Sequence, residues 1–423
     1  MEVAPGMRTD LQHLPILVFN GGSSSIKFSI YIAEGTKLTR LNDGEAGGIG
    51  TPKPQFNFYA FRDGKRETLV SESEPQDLGS TRDAVRKIAA LLQQLGLTHP
   101  AAIGHRIVHT GPNLHAHQRI TSAVLLEIEK ATRFAPLHQP IGLEIIQEAK
   151  ESFPGVDNYA CFDTIFDQDL PEVASIYPLP KEIRDQGVHR YGFHGLSCES
   201  ILQQFQDGRV PDLFPPNKIP ERLIYVHLGS GASVTAIRNG KAIDVSMGFT
   251  PCGGVIMGTR PGDLDPGLVF YLLRMHAGSA ANATDAVEQL LNKRSGMLAL
   301  SGLSNDMRIL RHAAKNGDRQ AALAIEAFAL SVKKTIGGYI ALMGGLDALV
   351  FSGGIGERDP MTRAQVCASM DAFGLALNPE TNDPTHAGPK TISQKESKIA
   401  VYVLPADEDR VIAGHVARLA AEE

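Results

Sequence analysis

The chain has 423 residues, too many for one ordinary core at roughly 100–200 residues per domain, and two domains are expected. Hydrophobic residues make up 43% and charged residues 21%, and mean hydropathy is -0.10, which is the balance of a globular enzyme and not of a membrane protein. A formal net charge of -6, without clustered Lys and Arg, excludes a broad nucleic-acid footprint.

Met1 to Leu14 carries Pro5, Asp10 and Gln12 and has no apolar h-region, so it reads as a short disordered lead-in and not a secretory signal. Next comes Leu17-Val-Phe-Asn20-Gly-Gly-Ser-Ser-Ser-Ile26-Lys27. It has the glycines, serines and lysine of a phosphate loop but lacks the second glycine of a Walker A motif. Ile26, Phe28, Ile30 and Ile32 alternate with Ser25, Lys27, Ser29 and Tyr31, which is the period of a strand, so the segment is strand, Gly/Ser turn, strand. Thr81 to Leu95 has helical apolar spacing, a Thr cap and Gly96 just past its end. Pro211 to Pro220 is expected to be a surface loop.

The opening pattern returns at Leu223 to Met247. An apolar run meets Gly229-Ser230-Gly231, a strand runs from Ser233 to Arg238, and Asn239-Gly240 leads into Ala242 to Met247, Asn-Gly being a strong hairpin signal. Asp265-Pro266 caps a helix reaching Met275. Arg319 to Met343 is a long, largely apolar helix expected to be buried between layers. The run Ala348 to Phe351 ends in Ser352-Gly353-Gly354-Ile355-Gly356-Glu357. Strands followed by helices in both halves predict an α/β fold with covered sheets. Gly/Ser hairpin turns of this kind can present backbone N–H groups to an anion.

Charged and imidazole side chains bunch beside glycine at Gly104-His-Arg-Ile-Val-His109, Phe162-Asp-Thr164, Tyr191-Gly-Phe-His-Gly195 and Gly258-Thr-Arg-Pro-Gly-Asp263. His105 and His109 fall in a stretch that favours a strand, where four residues span ~13 Å, too far to share one metal ion. Cys161, Cys198, Cys252 and Cys367 form no CxxC pair, so free thiols in a reducing, cytoplasmic setting are expected.

The order and spelling of these motifs closely resemble the acetate kinases, from about Ile16 to Ala413. The carriers are Asn20-Gly-Gly-Ser-Ser-Ser-Ile-Lys27, Gly104 to His109, Ala135-Pro-Leu-His-Gln-Pro140, Phe162 to Thr164, Arg190-Tyr-Gly-Phe-His-Gly195, His227-Leu-Gly-Ser-Gly-Ala-Ser233, Met247-Gly-Phe-Thr-Pro251, Met257-Gly-Thr-Arg260 and Gly353 to Glu357. The resemblance implies two actin/sugar-kinase-like (ribonuclease H-like) α/β domains with a nucleotide cleft between them. Residues 1–163 with 410–423 would form the acid- and phosphate-side domain, and residues 164–409 the nucleotide-binding domain.

It further implies reversible transfer of the γ-phosphoryl of ATP to acetate, giving acetyl phosphate and ADP, by a homodimer that uses Mg2+ or Mn2+. Phosphoryl transfer asks mainly for positioning and positive charge around the equatorial oxygens. A carboxylate acceptor, with a pKa near the ~4.3 of Glu, is already ionised at neutral pH and needs relief from charge repulsion, not a general base. Arg106 and Arg260 match the family's active-site arginines and suit that task through bidentate, charge-assisted hydrogen bonds. By the same resemblance Asp163 and His194 are catalytic, and His138 and His227 line the phosphate path. Asn20 and Glu408, the latter from Ala406-Asp-Glu-Asp409, belong with the metal. Val108, Leu137, Phe193 and Pro251 form an apolar pocket for the methyl end of the acid. The nucleotide falls to Lys27, Gly229, Ser230, Gly231, Asp306, Met307, Arg308 and Gly353, Gly354, Ile355 and Gly356.

Three positions depart from the family pattern. Ser230 stands where Asn is common, Cys198 where His is common, and Arg358 where a small polar residue is common. Ser230 can still donate a hydroxyl hydrogen bond, whereas Cys198 cannot replace an imidazole donor. Arg358 borders the nucleotide side. Propionate or butyrate as the acid is the alternative within enzymes, because one methylene in a pocket is worth only ~1–3 kcal/mol. A nucleotide-binding regulator or filament former on the same fold is a third reading, against which the intact Arg106, Arg260, Asp163 and His194 argue.

Overall fold

Alternating apolar residues in the first two strands force a hairpin with one face toward a core. The computed structural model of the chain shows that hairpin at Leu14–Gly21 (β1) and Ser25–Glu34 (β2), paired antiparallel. It describes residues 13–22, 24–62, 65–75, 77–97, 100–212, 217–277, 282–384 and 388–422. Most of the expected lead-in, Ser23 of the first Gly/Ser turn and part of the Pro211–Pro220 loop lie outside these.

The chain divides into two compact units, one made of the described residues up to Ile165 together with those from Asp407 onward, the other of Phe166–Ala406. Glu408 and Asp409 therefore belong to the first unit, whereas the sequence reading placed them in the second domain. In the first unit β1 and β2 continue into Lys37–Gly47 (β3), Gln55–Arg62 (β4) and Lys65–Ser73 (β5), an antiparallel meander. Ala102–Ile107 (β6) returns parallel to β1, Gln118–Arg119 (β7) forms an edge, and Asp157–Phe162 (β8) runs parallel to β6.

One face of this sheet packs on the helix Thr81–Gln94 through Ala84, Val85, Ile88 and Leu92, and on Gln139–Ser152 through Ile145 and Ala149. Burying each large aliphatic side chain stabilises by about 1.5–3 kcal/mol. The N-cap of Thr81–Gln94 is Ser80, whose Oγ accepts from the Asp83 amide at 3.2 Å, so the expected Thr81 cap is the first helical residue instead. The opposite face is covered by the last helix, Glu408–Glu422, whose Ile412 and Val416 come so close to Gly104 that a Cβ there would meet them at 2.5 and 2.8 Å. This second cover changes the expected alternation in β2. Ser29 and Tyr31, assigned to the polar side, are buried (0% and 1% exposed), and a bulge falls between Ile30 and Tyr31.

The second unit repeats the strand plan. Arg222–Leu228 (β9), Ala232–Arg238 (β10) and Lys241–Val245 (β11) form a meander, turning at Asn239 and Gly240 with φ of 51° and 78°. Ala348–Ser352 (β12) lies parallel to β9, Lys390–Thr391 (β13) is an edge, and Ala400–Val403 (β14) lies parallel to β12. The core orders β3-β2-β1-β6-β8 and β11-β10-β9-β12-β14 are the same topology. Helix Gly195–Gln206 covers one face of the second sheet through Cys198, Ile201, Leu202 and Phe205.

The helix Arg319–Met343 is buried along one stripe only. Phe328, Val332 and Ile336 are fully buried, but Leu323, Leu330 and Leu342 are 48–55% exposed, so it is not sandwiched between layers. Among the described residues no helix is long and apolar enough to cross a membrane.

Candidate active site

In the first unit the site residues gather where β1, β6 and β8 end. Asn20 pairs across the hairpin with Lys27, whose side chain is exposed. The Asn20 amide nitrogen donates to Glu408 Oε2 at 2.9 Å and to Asp409 Oδ1 at 3.1 Å. Both amide protons are thereby used on carboxylates, which leaves the amide oxygen as an acceptor on the opposite side. Ser29 Oγ donates to the other Asp409 oxygen. Burial pushes the Asp409 carboxyl up, while the hydrogen bonds from Ser29 and Asn20 work against that shift. Arg40 extends the network, donating from Nε to the Tyr31 hydroxyl at 2.8 Å and pairing with Asp407.

Arg106, on β6, donates from Nε to Asp163 Oδ1 at 3.2 Å and from Nη2 to Oδ2, and its Nη1 donates to the Gly21 carbonyl at 3.0 Å. Glu408 Oε2 lies 3.9 Å from Nε. Burial disfavours the guanidinium charge, but Asp163 and Glu408 outweigh it and hold the group above its ordinary value, so Arg106 is a permanent cation. A Cβ on Gly21 would meet Ile145 Cδ1 at 2.5 Å, so the end of that side chain packs directly against the backbone whose carbonyl Arg106 uses. His138 is the N-cap of Gln139–Ser152 and, like Val108 and Leu137, half-buried. His105 and His109 do not pair on a metal. His105 Nε2 meets Asn158 Oδ1 at 2.7 Å, and His109 stacks on Phe134 and accepts from the Gly111 amide.

In the second unit the turn Gly229–Gly231 joins β9 to β10 and collects the other set. A Cβ on Gly231 would lie 3.5 Å from His194 Nε2 and 3.7 Å from Arg260 Nη1, and one on Gly229 would lie 3.6 Å from His227 Nε2. Three nitrogens therefore converge on one backbone turn. His194 adopts the left-handed conformation (φ 64°) at the start of Gly195–Gln206, with Nδ1 2.9 Å from Ser233 Oγ. Its ring stacks on His227 with centroids 4.3 Å apart. Two positive charges at that separation repel by about 4 kcal/mol at an effective dielectric of 20, so the pair holds at most one charge comfortably. Arg260 donates from Nη1 to the Pro251 carbonyl at 2.8 Å, and Gly258 N donates to Ser230 O at 3.1 Å.

The expected nucleotide residues of this unit lie along the same strand end. Gly353 opens the short helix Gly353–Arg358 with φ 77°, and a Cβ there would meet the Leu228 carbonyl at 2.7 Å. Asp306 caps Met307–Lys315 and accepts from the Arg308 amide at 2.8 Å; Met307 is buried and Arg308 is 89% exposed, paired with Asp306. Ser230 is exposed, whereas Phe193 and Pro251 are buried. Arg358 is exposed at the end of its short helix, and Cys198 faces Thr235 inside the core.

Several partners escaped sequence reasoning. Ser29, Tyr31 and Arg40 carry no motif, and Asp409 was quoted only as the neighbour of Glu408; a serine and a tyrosine on the polar side of a strand were the only local signs. Ser197 lies just past the end of the Arg190–Gly195 motif, yet its hydroxyl contacts His227 Nδ1 at 3.1 Å. Arg363 is fully buried and donates to the carbonyls of Gly356 and Glu357 at 2.8 and 2.9 Å, which anchors the Gly353–Arg358 helix.

A model of the acetokinase family matches residues 15–414. The acetate kinase of Rhodopseudomonas palustris (strain ATCC BAA-98 / CGA009) is 39% identical over 412 residues, 96% of this chain and 98% of that protein. The acetate kinase of Porphyromonas gingivalis (strain ATCC BAA-308 / W83) is 36% identical over 407 residues, 95% of this chain and 98% of that protein. The crystal structure of Porphyromonas gingivalis acetate kinase gives a TM-score of 0.78 at 34% identity, covering 96% of this chain and 100% of that one. A propionate kinase from Francisella tularensis subsp. tularensis SCHU S4 gives 0.84 at 32% identity, with the same coverage. The fold is thus that of the acetate and propionate kinases, an actin-like ATPase fold. The chain belongs to the acetokinase family.

Proposed function

We propose that this chain transfers the γ-phosphoryl group of ATP to acetate, reversibly, giving acetyl phosphate and ADP by direct in-line displacement. The observation that carries this reading is the convergence of His194 Nε2, His227 Nε2 and Arg260 Nη1 on the Gly229–Gly231 turn, donors disposed for a phosphoryl group. Family membership over nearly the whole chain supports it.

In this mechanism an acetate oxygen forms a bond to the γ-phosphorus as the bond to the β,γ-bridging oxygen breaks, and no proton moves. Arg260, with His194 and His227, stabilises charge on the equatorial oxygens. Arg106, held charged by Asp163, offsets the repulsion between carboxylate and nucleotide. His138 belongs to the phosphate path. Lys27, Ser230, Asp306, Met307, Arg308 and Gly353 to Gly356 are assigned to the nucleotide, and Val108, Leu137, Phe193 and Pro251 to the methyl group of the acid. The amide oxygen of Asn20 with the carboxylates of Glu408 and Asp163 is an all-oxygen donor set that fits Mg2+ or Mn2+. When bound, such an ion neutralises phosphate charge.

The reaction is placed in the cytoplasm, a reading supported by four free thiols. A homodimer is supported by the helix Pro266–His276, which buries no residue and exposes Phe270, Tyr271 and Met275 at 58, 54 and 62%.

The test is acetyl-phosphate formation from ATP with acetate, propionate and butyrate in turn. Acetate is expected to give the highest kcat/KM, and Val108→Ala to raise the propionate-to-acetate ratio severalfold, a shift of about 1 kcal/mol. A wild-type preference for propionate would move the assignment to the longer acid. No transfer to any acid would end the kinase reading.

A further inference from the structure

Two elements assigned to the nucleotide reach the Gly229–Gly231 turn by separate routes. Gly353 packs on the Leu228 carbonyl, while Asn305, which leads into Asp306, lies against Gly258, whose amide donates to Ser230 O at 3.1 Å. A Cβ on Gly258 would come within 3.4 Å of Asn305 Cβ. Beyond the turn, Met307–Lys315 and Gly353–Arg358 are both helices, so no strand ladder fixes the distance between them and side chains have to. Gly354 is exposed, and among the described residues a Cβ on it would meet no atom within 4 Å, so the backbone there is open to a ligand.

Arg311, one turn into Met307–Lys315, crosses that distance. It donates from Nε to Asp359 Oδ2 at 3.0 Å and from Nη2 to Thr362 Oγ1 and Gln365 Oε1, both at 2.9 Å. The Arg311 and Asp359 side chains are only 18% and 14% exposed, so water and salt screen the pair little. Asp359 stands at a junction. Its amide donates to Ile355 O at 2.9 Å, which closes Gly353–Arg358, and its carboxylate caps the next helix, Pro360–Cys367, by accepting from the Met361 and Thr362 amides at 3.1 and 3.3 Å. From that next helix Arg363 donates back to the Gly356 and Glu357 carbonyls. Holding Asp359 therefore holds the glycine helix.

We infer that Arg311 is a positioning residue for the nucleotide: by bonding Asp359 it fixes the spacing between Asp306–Arg308 and Gly353–Gly356, the two elements that ATP or ADP has to contact together. A site whose two walls already stand at the bound distance loses no binding free energy in ordering them. Arg311 itself contacts no reacting group, and the acid and the transferring phosphoryl are assigned to other residues. Its effect falls on nucleotide affinity and not on acetate affinity or the chemical step. The inference rests on the assignment of those two elements to the nucleotide.

The experiment is calorimetric titration of the full chain with ADP, alongside steady-state kinetics, for wild type, Arg311→Ala and Asp359→Asn. Asparagine caps a helix as well as aspartate does, so Asp359→Asn keeps the two amide bonds of Pro360–Cys367 while turning an amide NH2 toward Arg311. It decides the matter should Arg311→Ala fail to fold. Both variants are expected to bind ADP roughly fivefold to tenfold more weakly and to raise the ATP KM by a similar factor, with kcat and the acetate KM within about twofold of wild type. Unchanged ADP affinity in either folded variant, or ATP and acetate KM rising together, overturns the proposal and leaves the kinase reading standing. If wild type binds no ADP, the nucleotide assignment is wrong and the proposal falls with it.

Discussion

Arg106 and Asp163 form a two-pronged pair, Nε to Oδ1 at 3.2 Å and Nη2 to Oδ2, although 57 positions separate them in the chain. Parallel pairing of β6 with β8 sets Arg106 opposite Cys161, so the loop leaving β8 brings Asp163 back beside the guanidinium. Arg106→Ala is expected to lower kcat by at least ~10³, the scale of charge-stabilising groups in phosphoryl transfer. Arg106→Lys should recover little of it, because an ammonium cannot meet both Asp163 oxygens and the Gly21 carbonyl at once. Steady-state kinetics on folded variants decides this, and near-normal turnover in the alanine variant would remove Arg106 from the reaction.

Arg358 is the departure from the family pattern nearest the expected nucleotide side, and it is exposed at the end of a six-residue helix. Among the described residues no ion pair holds it, and an exposed cation of that kind is energetically quiet. Arg358→Asn should leave the relative kcat/KM for ATP, GTP and pyrophosphate within about twofold. A selective change in one donor would show that the arginine reaches the nucleotide.

His105 gives the first unit a pH dependence. Buried beside Asn158 and stacked on Phe19, its imidazole is lowered to about 4, with burial as the main cause. The unfolded chain takes up the proton near ~6.5, so between there and about 4 only the unfolded state is protonated. Stability from this group is complete above the unfolded value and is lost as pH falls through that window, in total about 3 kcal/mol. Urea unfolding of wild type and His105→Gln at pH 7 and at progressively lower pH should show the wild-type advantage shrinking by that amount. Parallel curves would mean that His105 takes up its proton at the same pH in the folded and the unfolded chain.

Arg363 ties the Gly353–Arg358 helix to residues 382 and 383 by donating to Gly356 O, Glu357 O, Asn382 Oδ1 and Asp383 O. Burial lowers its guanidinium to about 10, so it is still charged at neutral pH. Arg363→Ala leaves these acceptors without their donor and should destabilise the second unit by about 3 kcal/mol or more. Thermal unfolding checks it, and an unchanged transition would show that water or other side chains take over the carbonyls.

Local chemistry was enough for much of the fold. Alternation in Ile26 to Ile32, the Asn239-Gly240 turn, and Asp265-Pro266 before a helix each act within a few residues, and each element formed as its pattern requires. Motif spelling also marked one position whose backbone must turn tightly, Gly353, with φ 77°.

Contacts across the chain were not legible. Alternation in β2 says which residues share a face but not what covers that face. Only the last helix, arriving from 380 positions away, turned Ser29 from a solvent-side residue into a buried donor to Asp409. The same packing put Glu408 beside Asn20 and assigned it to the first unit. Helix periodicity likewise overstated the burial of Arg319–Met343, since apolar residues around a helix become core only where another surface meets them, and Leu323, Leu330 and Leu342 have none large enough to cover them. Local propensity is set by neighbours in sequence, whereas the partners of a buried polar group are set by which elements the hydrophobic cores bring together, and that is decided only when the whole chain has folded.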